Sequence, residues 1–344
     1  MTDDLARLAA WLPGQGLALA PASRLTRLGG GIANRNDAVS LATGRAVLRR
    51  PPPGALAIGA SDMGREARVL AALAPHFPMA PRLLAYCDDA AVLGTPFLII
   101  EHRQGVAIGG TMPPTAGPDA GNRLIGATLA QMLALHALSP AAVGLGDLGK
   151  PEGFYSRQLM GWSKRAAVVW PEALPPAATA LIAALAAIDP PDGGQPALLH
   201  MDLKPDNLLV DPVTMLPQAL IDWDMATRGP RGFELAVLLS YWIEPGDPAA
   251  LHGLAVVPSL TPGWPARADI VRLYTVFGGR AAATNLGNLV WPVALARLRL
   301  AVAWGQLYRK WQRGEVTGDR YAGFEALAMA ILDHALDQFT QGQT

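Results

Sequence analysis

Apolar positions follow two different rhythms along the chain, and the change of rhythm divides it. Residues 4–12 put Leu5, Leu8, Ala9 and Leu12 on one helical face, and the pattern stops at Pro13-Gly14. Strand-like segments follow at 23–28, 37–42 and 45–50. Pro51-Pro52-Pro53-Gly54 closes the third, because proline has no N–H to give a ladder. Helical spacing covers 64–73, and two more strands are expected at 82–87 and 97–101, joined by a turn around Asp88-Asp89. After Gly105 the period becomes helical. A Gly/Pro-rich loop spans 109–121, and helices are predicted over 122–138, 155–169, 175–188, 233–242, 266–284, 293–313 and 323–339. One β-rich island, 198–220, interrupts them. The expectation is an α+β chain with a small β-rich N-terminal lobe at 1–101, a larger mostly helical lobe at 102–344, and a hinge at about 99–105.

Composition narrows the function. With 344 residues the chain suits one large domain or two lobes. The 28 basic and 28 acidic residues cancel, which argues against a general nucleic-acid binder. One cysteine, Cys87, excludes an internal disulfide and a cysteine zinc cluster. The acidic start, Met1-Thr2-Asp3-Asp4, lacks the pattern of a signal peptide. The apolar run 177–188 is too short to cross a bilayer, and Arg297 and Arg299 interrupt a later one. A cytoplasmic protein without nucleic-acid or membrane partners is expected. Only four lysines are present (Lys150, Lys164, Lys204, Lys310), so any cationic task in the first 149 residues falls to Arg or His.

Chemistry concentrates in the island, His200-Met201-Asp202-Leu203-Lys204-Pro205-Asp206-Asn207, and in Ile221-Asp222-Trp223-Asp224. A loop carboxylate can accept a proton from a hydroxyl. An Asn carbonyl and a second carboxylate can share a hard cation such as Mg²⁺, which favours oxygen donors. These are the parts that phosphoryl transfer requires.

The H-x-D-x-x-x-x-N element with a downstream Asp is similar to the catalytic and metal-binding loops of the protein-kinase-like fold. Within that fold the chain resembles, over nearly its whole length, the aminoglycoside phosphotransferase family, which includes choline-kinase-like enzymes. Segments 45–50 with Pro52-Pro53-Gly54, Arg65-Glu66, Val92-Leu93-Gly94 with Pro96-Phe97, 143–146, Arg157-Gln158 and Trp162 look most like the kinase-like domains associated with acyl-CoA dehydrogenases. The resemblance implies two lobes, the smaller with an antiparallel sheet, and ATP and Mg²⁺ as cofactors. Asp202 matches the catalytic base, Asn207 and Asp222 the magnesium ligands, and His200 the histidine that braces the loop. Arg49 falls where the fold usually has a lysine against the α- and β-phosphates, with Glu66 as its partner. Arg50 has the opposite pleat, so a one-residue slip would exchange the two. Gly30, Gly31 and Asn34 belong to the loop between the first strands. Ile100 would line the adenine pocket, and backbone groups of Glu101 and Arg103 would meet the base.

Three positions depart from the family. Met201 stands where a small residue is common. Lys204 follows the protein-kinase pattern of a lysine near the γ-phosphate. Asp224 replaces a glycine familiar from protein kinases and either assists a second cation or faces solvent. His136 reads as a core histidine, and Trp162, Trp242, Trp291, Trp304 and Trp311 as mostly core. The expected activity is phosphate transfer to a small-molecule hydroxyl. From Ala226 onward eleven basic residues face nine acidic ones, which favours a neutral or anionic acceptor, such as a hydroxyacyl-CoA, over polycationic aminoglycosides. An aminoglycoside or choline-type kinase, a protein kinase, and a nucleotide-binding protein without transfer activity remain open alternatives. Oligomeric state is not readable.

Overall fold

The computed structural model describes residues 2–29, 34–51, 62–254 and 256–342. Helix α1 (Thr2–Trp11) is followed by strands β1 (Thr26–Arg27), β2 (Arg35–Leu41) and β3 (Gly44–Arg50), helix α2 (Met63–Leu73), strand β4 (Leu83–Cys87), the short helix α3 (Ala90–Leu93) and strand β5 (Phe97–Glu101). The five strands form one antiparallel sheet in the order β1-β2-β3-β5-β4. Then come α4 (Ala120–Ala137), α5 (Phe154–Val169), α6 (Pro176–Ala186), β6 (Ala197–Leu199), β7 (Leu208–Val210), β8 (Pro217–Leu220), β9 (Thr227–Gly229), α7 (Arg231–Ser240), α8 (Arg267–Leu286), α9 (Val290–Gln312) and α10 (Phe324–Gln341). β6 pairs with β9 and β7 with β8, both antiparallel. The arrangement is the two-lobed α+β fold expected, with an antiparallel sheet in the smaller lobe and helices dominating the larger.

Alternation along β3 and β5 decides which side chains face which layer. Ala46, Leu48, Phe97 and Ile99 pack with Leu8 and Leu12 on the α1 side. Leu98 and Ile100 point the other way, into a core shared with Val69 and Leu70 of α2, Leu124 and Leu129 of α4, Leu203 and Trp223. That second core ties the sheet to the loops of the larger lobe. A third lies among α5, α6, α9 and α10, where Leu295, Leu298 and Val302 are buried at roughly 1.5–3 kcal/mol each. α9 lies so close to α5 that a Cβ on Gly305 would stand 2.7 Å from Val169 Cγ1.

Local signals explain most boundaries. Asp62 caps α2 by accepting the Arg65 N–H at 2.9 Å. The expected turn at Asp88-Asp89 is instead a helix start, since Asp89 accepts the Ala91 N–H at 2.8 Å and opens α3. The strand expected at 23–28 shrinks to two residues on the sheet edge. α8 runs past its expected end and kinks at Gly279 (φ 59°, ψ −155°). Just beyond β5, Gly105 adopts φ 128° against the β7–β8 hairpin. A Cβ there would lie 3.0 Å from Leu209 Cβ and 3.1 Å from the Val210 carbonyl oxygen. Val106 and Val210 then exchange two backbone hydrogen bonds of 2.9 and 3.0 Å.

Candidate active site

The β6 strand delivers His200 into the centre of the larger lobe, fully buried beside Trp223. Its Nε2 bonds the Ile221 carbonyl at 2.9 Å, and its Nδ1 accepts the Asp202 N–H at 3.3 Å. Burial pushes its pKa down, so the ring is neutral near pH 7, as these two roles require. His200 therefore stitches the Asp202 loop to the strand end that carries Asp222. A second stitch is the Ile221 N–H to the Asn207 carbonyl, 2.9 Å. The β7–β8 pairing of Leu208 with Leu220 puts Asn207 and Asp222 at the same end of one hairpin.

Asp202 collects three donors. Lys204 Nζ (2.6 Å) and Asn207 Nδ2 (2.9 Å) share its Oδ2, and the Tyr241 hydroxyl reaches Oδ1 at 3.1 Å. Asn207 Nδ2 also bonds the Asp202 carbonyl at 2.8 Å. With its nitrogen so engaged, the side-chain oxygen of Asn207 is left over for another partner. Burial opposes ionisation of Asp202, but the Lys204 and Arg299 cations outweigh it and hold the carboxyl below the usual range. Burial likewise opposes the charge on Lys204, and the Asp202 and Asp206 carboxylates, the latter at 3.2 Å, keep it protonated. Asp206 is pushed up to about 6 by burial.

Across from this loop, Arg49 is nearly buried and donates its Nε to Glu66 at 2.8 Å and Nη1 to Asn36 Oδ1 at 3.2 Å. Its Nη2 pairs with Asp222. The expected Arg49–Glu66 pair is thus formed, and it extends to Asp222. Arg50 points to the α1 side of the sheet, bonded to Asp4 at 2.8 Å with Asp37 at 3.7 Å. Glu66 is held in turn by the Trp223 N–H at 3.3 Å. Asp222 itself sits at φ 70°, a left-handed conformation that turns its carboxylate out of the strand direction.

The remaining candidates are spread around this centre. Ile100 is buried on β5 between Val47 and Leu83. The Glu101 N–H is taken by the Arg82 carbonyl at 2.9 Å, so only its carbonyl is left to meet a base. The Arg103 side chain bonds the carbonyls of Pro78 and Gln218, both at 2.9 Å, and pins this stretch to β8. Asn34 donates its amide to Asp224 Oδ2 at 3.0 Å and leaves its own Oδ1 buried without a partner. Arg65 holds the Asp224 carbonyl. Burial, reinforced by Asp222, pushes Asp224 up to about 8. Gly30 and Gly31 lie outside the described residues. Two cavities of about 320 and 310 Å³, one beside Pro151 and Pro190 and one beside Ile243 and Ser259, lie apart from the cluster.

Sequence reasoning missed the supports behind the loop. Met201 adopts φ 69°, unusual for a residue with a side chain. Its N–H is held by Glu234 Oε1 at 2.7 Å and its carbonyl by Arg299 Nη2 at 2.8 Å. Glu234 continues to His136 Nε2 at 2.9 Å, and His136 Nδ1 meets the Tyr274 hydroxyl at 3.2 Å. His136 is indeed a satisfied core histidine, and Glu234, Arg299 and Tyr241 are the groups no local pattern announced.

Among the described residues no three His, Cys, Asp or Glu side chains are grouped to hold a metal by themselves. The free amide oxygen of Asn207 and the Asp222 carboxylate are hard oxygen donors, of the kind that could hold Mg²⁺ together with phosphate oxygens.

Known proteins share this architecture. A Ralstonia eutropha protein crystallised as a candidate aminoglycoside phosphotransferase superposes with a TM-score of 0.79 at 22% identity, covering 98% of each chain. A thermostable mutant of aminoglycoside phosphotransferase APH(4)-Ia, solved with AMP-PNP and hygromycin B, gives 0.58 at 16% identity over 92% of this chain and 94% of its own. Macrolide 2'-phosphotransferase type I gives 0.59 at 19% over 95% and 97%. Among curated sequences, acyl-CoA dehydrogenase family member 11 of Gallus gallus is 28% identical over 85% of this chain and 37% of its own length. The Mus musculus protein is 30% identical over 78% and 34%. This chain spans about a third of the length of those relatives. No helix among the described residues is long and apolar enough to cross a membrane. Residues 24–270 match the model of the Phosphotransferase enzyme family (APH), a stretch that takes in both the strand bearing Arg49 and the loops bearing Asp202 and Asp222, and the chain is a member of that family of small-molecule kinases.

Proposed function

We propose that the protein moves the γ-phosphate of ATP, in the presence of Mg²⁺, to a hydroxyl group of a small molecule. The observation that carries this reading is the convergence of Lys204 and Asn207 on one oxygen of Asp202, with Arg49 reaching Asp222 from the other lobe. Asp202, ionised at neutral pH, accepts the hydrogen bond of the acceptor hydroxyl and takes its proton as the new P–O bond forms. Lys204 balances charge on the transferred group. Arg49, fixed by Glu66, holds the α- and β-phosphates, and its planar fork suits two phosphate oxygens better than a lysine would. Asn207 through its free oxygen and Asp222 through its carboxylate would hold Mg²⁺. Bound there, the ion would neutralise the β- and γ-phosphate oxygens. Gly30, Gly31 and Asn34 are assigned to the loop above the phosphates, Ile100 to the adenine pocket, and the Glu101 carbonyl and Arg103 N–H to the base. Residues 99–105 serve as the hinge between lobes 1–101 and 102–344.

The acceptor is a neutral or anionic metabolite, with a hydroxyacyl-CoA the leading class. Support comes from the likeness to chains named acyl-CoA dehydrogenases and from the mild basic excess after Ala226. ADP release across a panel of hydroxyacyl-CoAs, choline and aminoglycosides tests it. Turnover of the aminoglycosides alone would overturn the acceptor class.

A further inference from the structure

We propose that Tyr241 is a positioning residue of the transfer reaction: its hydroxyl leaves the acceptor hydroxyl a single place on Asp202, and its ring anchors the Lys204 ammonium. The inference rests on the reading of Asp202 as the base. Each carboxylate oxygen offers two lone-pair sites. On Oδ2 both are filled, by Lys204 at 2.6 Å and Asn207 at 2.9 Å. Oδ1 carries one bond, from Tyr241 at 3.1 Å, so its second site is the one open to an incoming hydroxyl. The acceptor oxygen therefore binds beside the phenol.

Tyr241 is well placed to hold this geometry. It follows directly on α7, whose ten residues are buried except for Arg231, so its backbone is held by packing on nearly all sides. Lys204 Nζ lies 5.1 Å from the centre of its ring, a cation–π distance. The same ammonium hydrogen-bonds Asp202 and forms an ion pair with Asp206. One side chain thus restrains both the base and the cation beside it. Tyr241 exchanges no net proton. The acceptor oxygen bonds to the γ-phosphorus as the bond to the bridging oxygen breaks. ADP leaves with that electron pair, and the acceptor proton passes to Asp202. With water as the acceptor the products are ADP and inorganic phosphate.

The test uses ATP, Mg²⁺ and water, reading ADP release against ATP concentration for the full chain and for Tyr241→Phe, Tyr241→Leu and Asp202→Asn. Binding of a fluorescent ATP analogue and the thermal midpoint are read on each. Tyr241→Phe keeps the ring and loses only the hydroxyl. Its kcat should fall roughly tenfold, the size of one hydrogen bond to a charged group, with the KM for ATP within about twofold. Tyr241→Leu, which also removes the ring beneath Lys204, should fall further. A structural role alone would move the thermal midpoint and leave kcat intact. Wild-type kcat in Tyr241→Phe beside an inactive Asp202→Asn overturns the inference and leaves the base assignment standing. Wild-type kcat in Asp202→Asn overturns the base assignment itself.

Discussion

Replacing Glu234 by leucine removes the one acceptor that the Met201 N–H has and the partner of His136 Nε2, at 2.7 and 2.9 Å, in a position with no solvent access. Water cannot substitute there. Each hydrogen bond to a charged group is worth about 1.5–3 kcal/mol when the partner is left buried and unpaired, so Glu234→Leu should cost about 3–6 kcal/mol. Spread over the unfolding entropy of a chain this size, that is a drop of about 4–8 °C in Tm. Glu234→Gln makes the contrast. Its amide oxygen still accepts from Met201, and its amide nitrogen can donate to His136 once that ring takes the other tautomer, with Nδ1–H then facing Tyr274. That variant should lose no more than about 1.5 kcal/mol. Thermal and urea unfolding of the three proteins, followed by ADP release, read the comparison. Glu234→Leu should also lose turnover out of proportion to its unfolded fraction, because the left-handed Met201 that aims Asp202 then keeps only its Arg299 bond. Equal losses in the Gln and Leu variants, or a Leu variant within about 1 kcal/mol of wild type, would refute the reasoning.

Other outcomes follow from the same geometry. Asp202→Ala should abolish phosphate transfer while a fluorescent ATP analogue still binds, and full activity would remove Asp202 as the base. Arg49→Met should raise the KM for ATP, whereas Arg50→Met, on the opposite pleat with Asp4, should lower Tm and leave that KM alone; the reverse pattern would mean that the strand is read in the wrong register. Asp222→Asn should lose at least about 100-fold in turnover but less stability than Asp222→Ala, because Asn tolerates φ 70° better than Ala; unfolding midpoints ordered the other way would contradict this. Burial works against the charge on Asp247, yet the neighbouring His334, 3.4 Å away, and two bonds from Arg267 hold its carboxyl well below its ordinary 3.8. A depressed folded-state value stabilises above the unfolded one and is lost on acidification. Stability should therefore fall as pH drops below about 4, and Asp247→Asn should flatten that acid limb; an unchanged slope would show that Asp247 does not set it.

Sequence periodicity is clearest in helices that bury one continuous stripe, as Leu327, Ala328, Ile331, Leu332 and Ala335 of α10 do. It failed where a short polar residue does a different local job. Asp89 looks like a turn former and is a helix cap. Which of Arg49 and Arg50 meets Glu66 was open in sequence and is decided by the pairing of β3 with β2 and β5. The motif residues Asp202, Lys204 and Asn207 lie within six positions of one another, so their meeting was legible. Tyr241, Glu234 and Arg299 reach the same loop from 33 to 98 residues away, and nothing local marks them. Their partners are set by how α7 and α9 pack, which the hydrophobic pattern does not encode at atomic precision. Asp224 read as either a second cation ligand or a solvated carboxylate. In the structure its Oδ2 accepts the amide of Asn34, 190 residues earlier in the chain.

The two backbone bonds between Val106 and Val210, with Gly105 pressed against the hairpin, have a mechanical meaning. The segment leaving β5 is clamped to the same hairpin whose far end bears Asn207 and Asp222. Any swing of the sheet must bend the chain ahead of that clamp. The distance from Asn207 to Asp222 is then insulated from opening and closing, while the distance from Arg49 to Asp222 is the one free to change. A side chain at Gly105 would loosen the clamp and let motion of the sheet reach the spacing of Asn207 and Asp222.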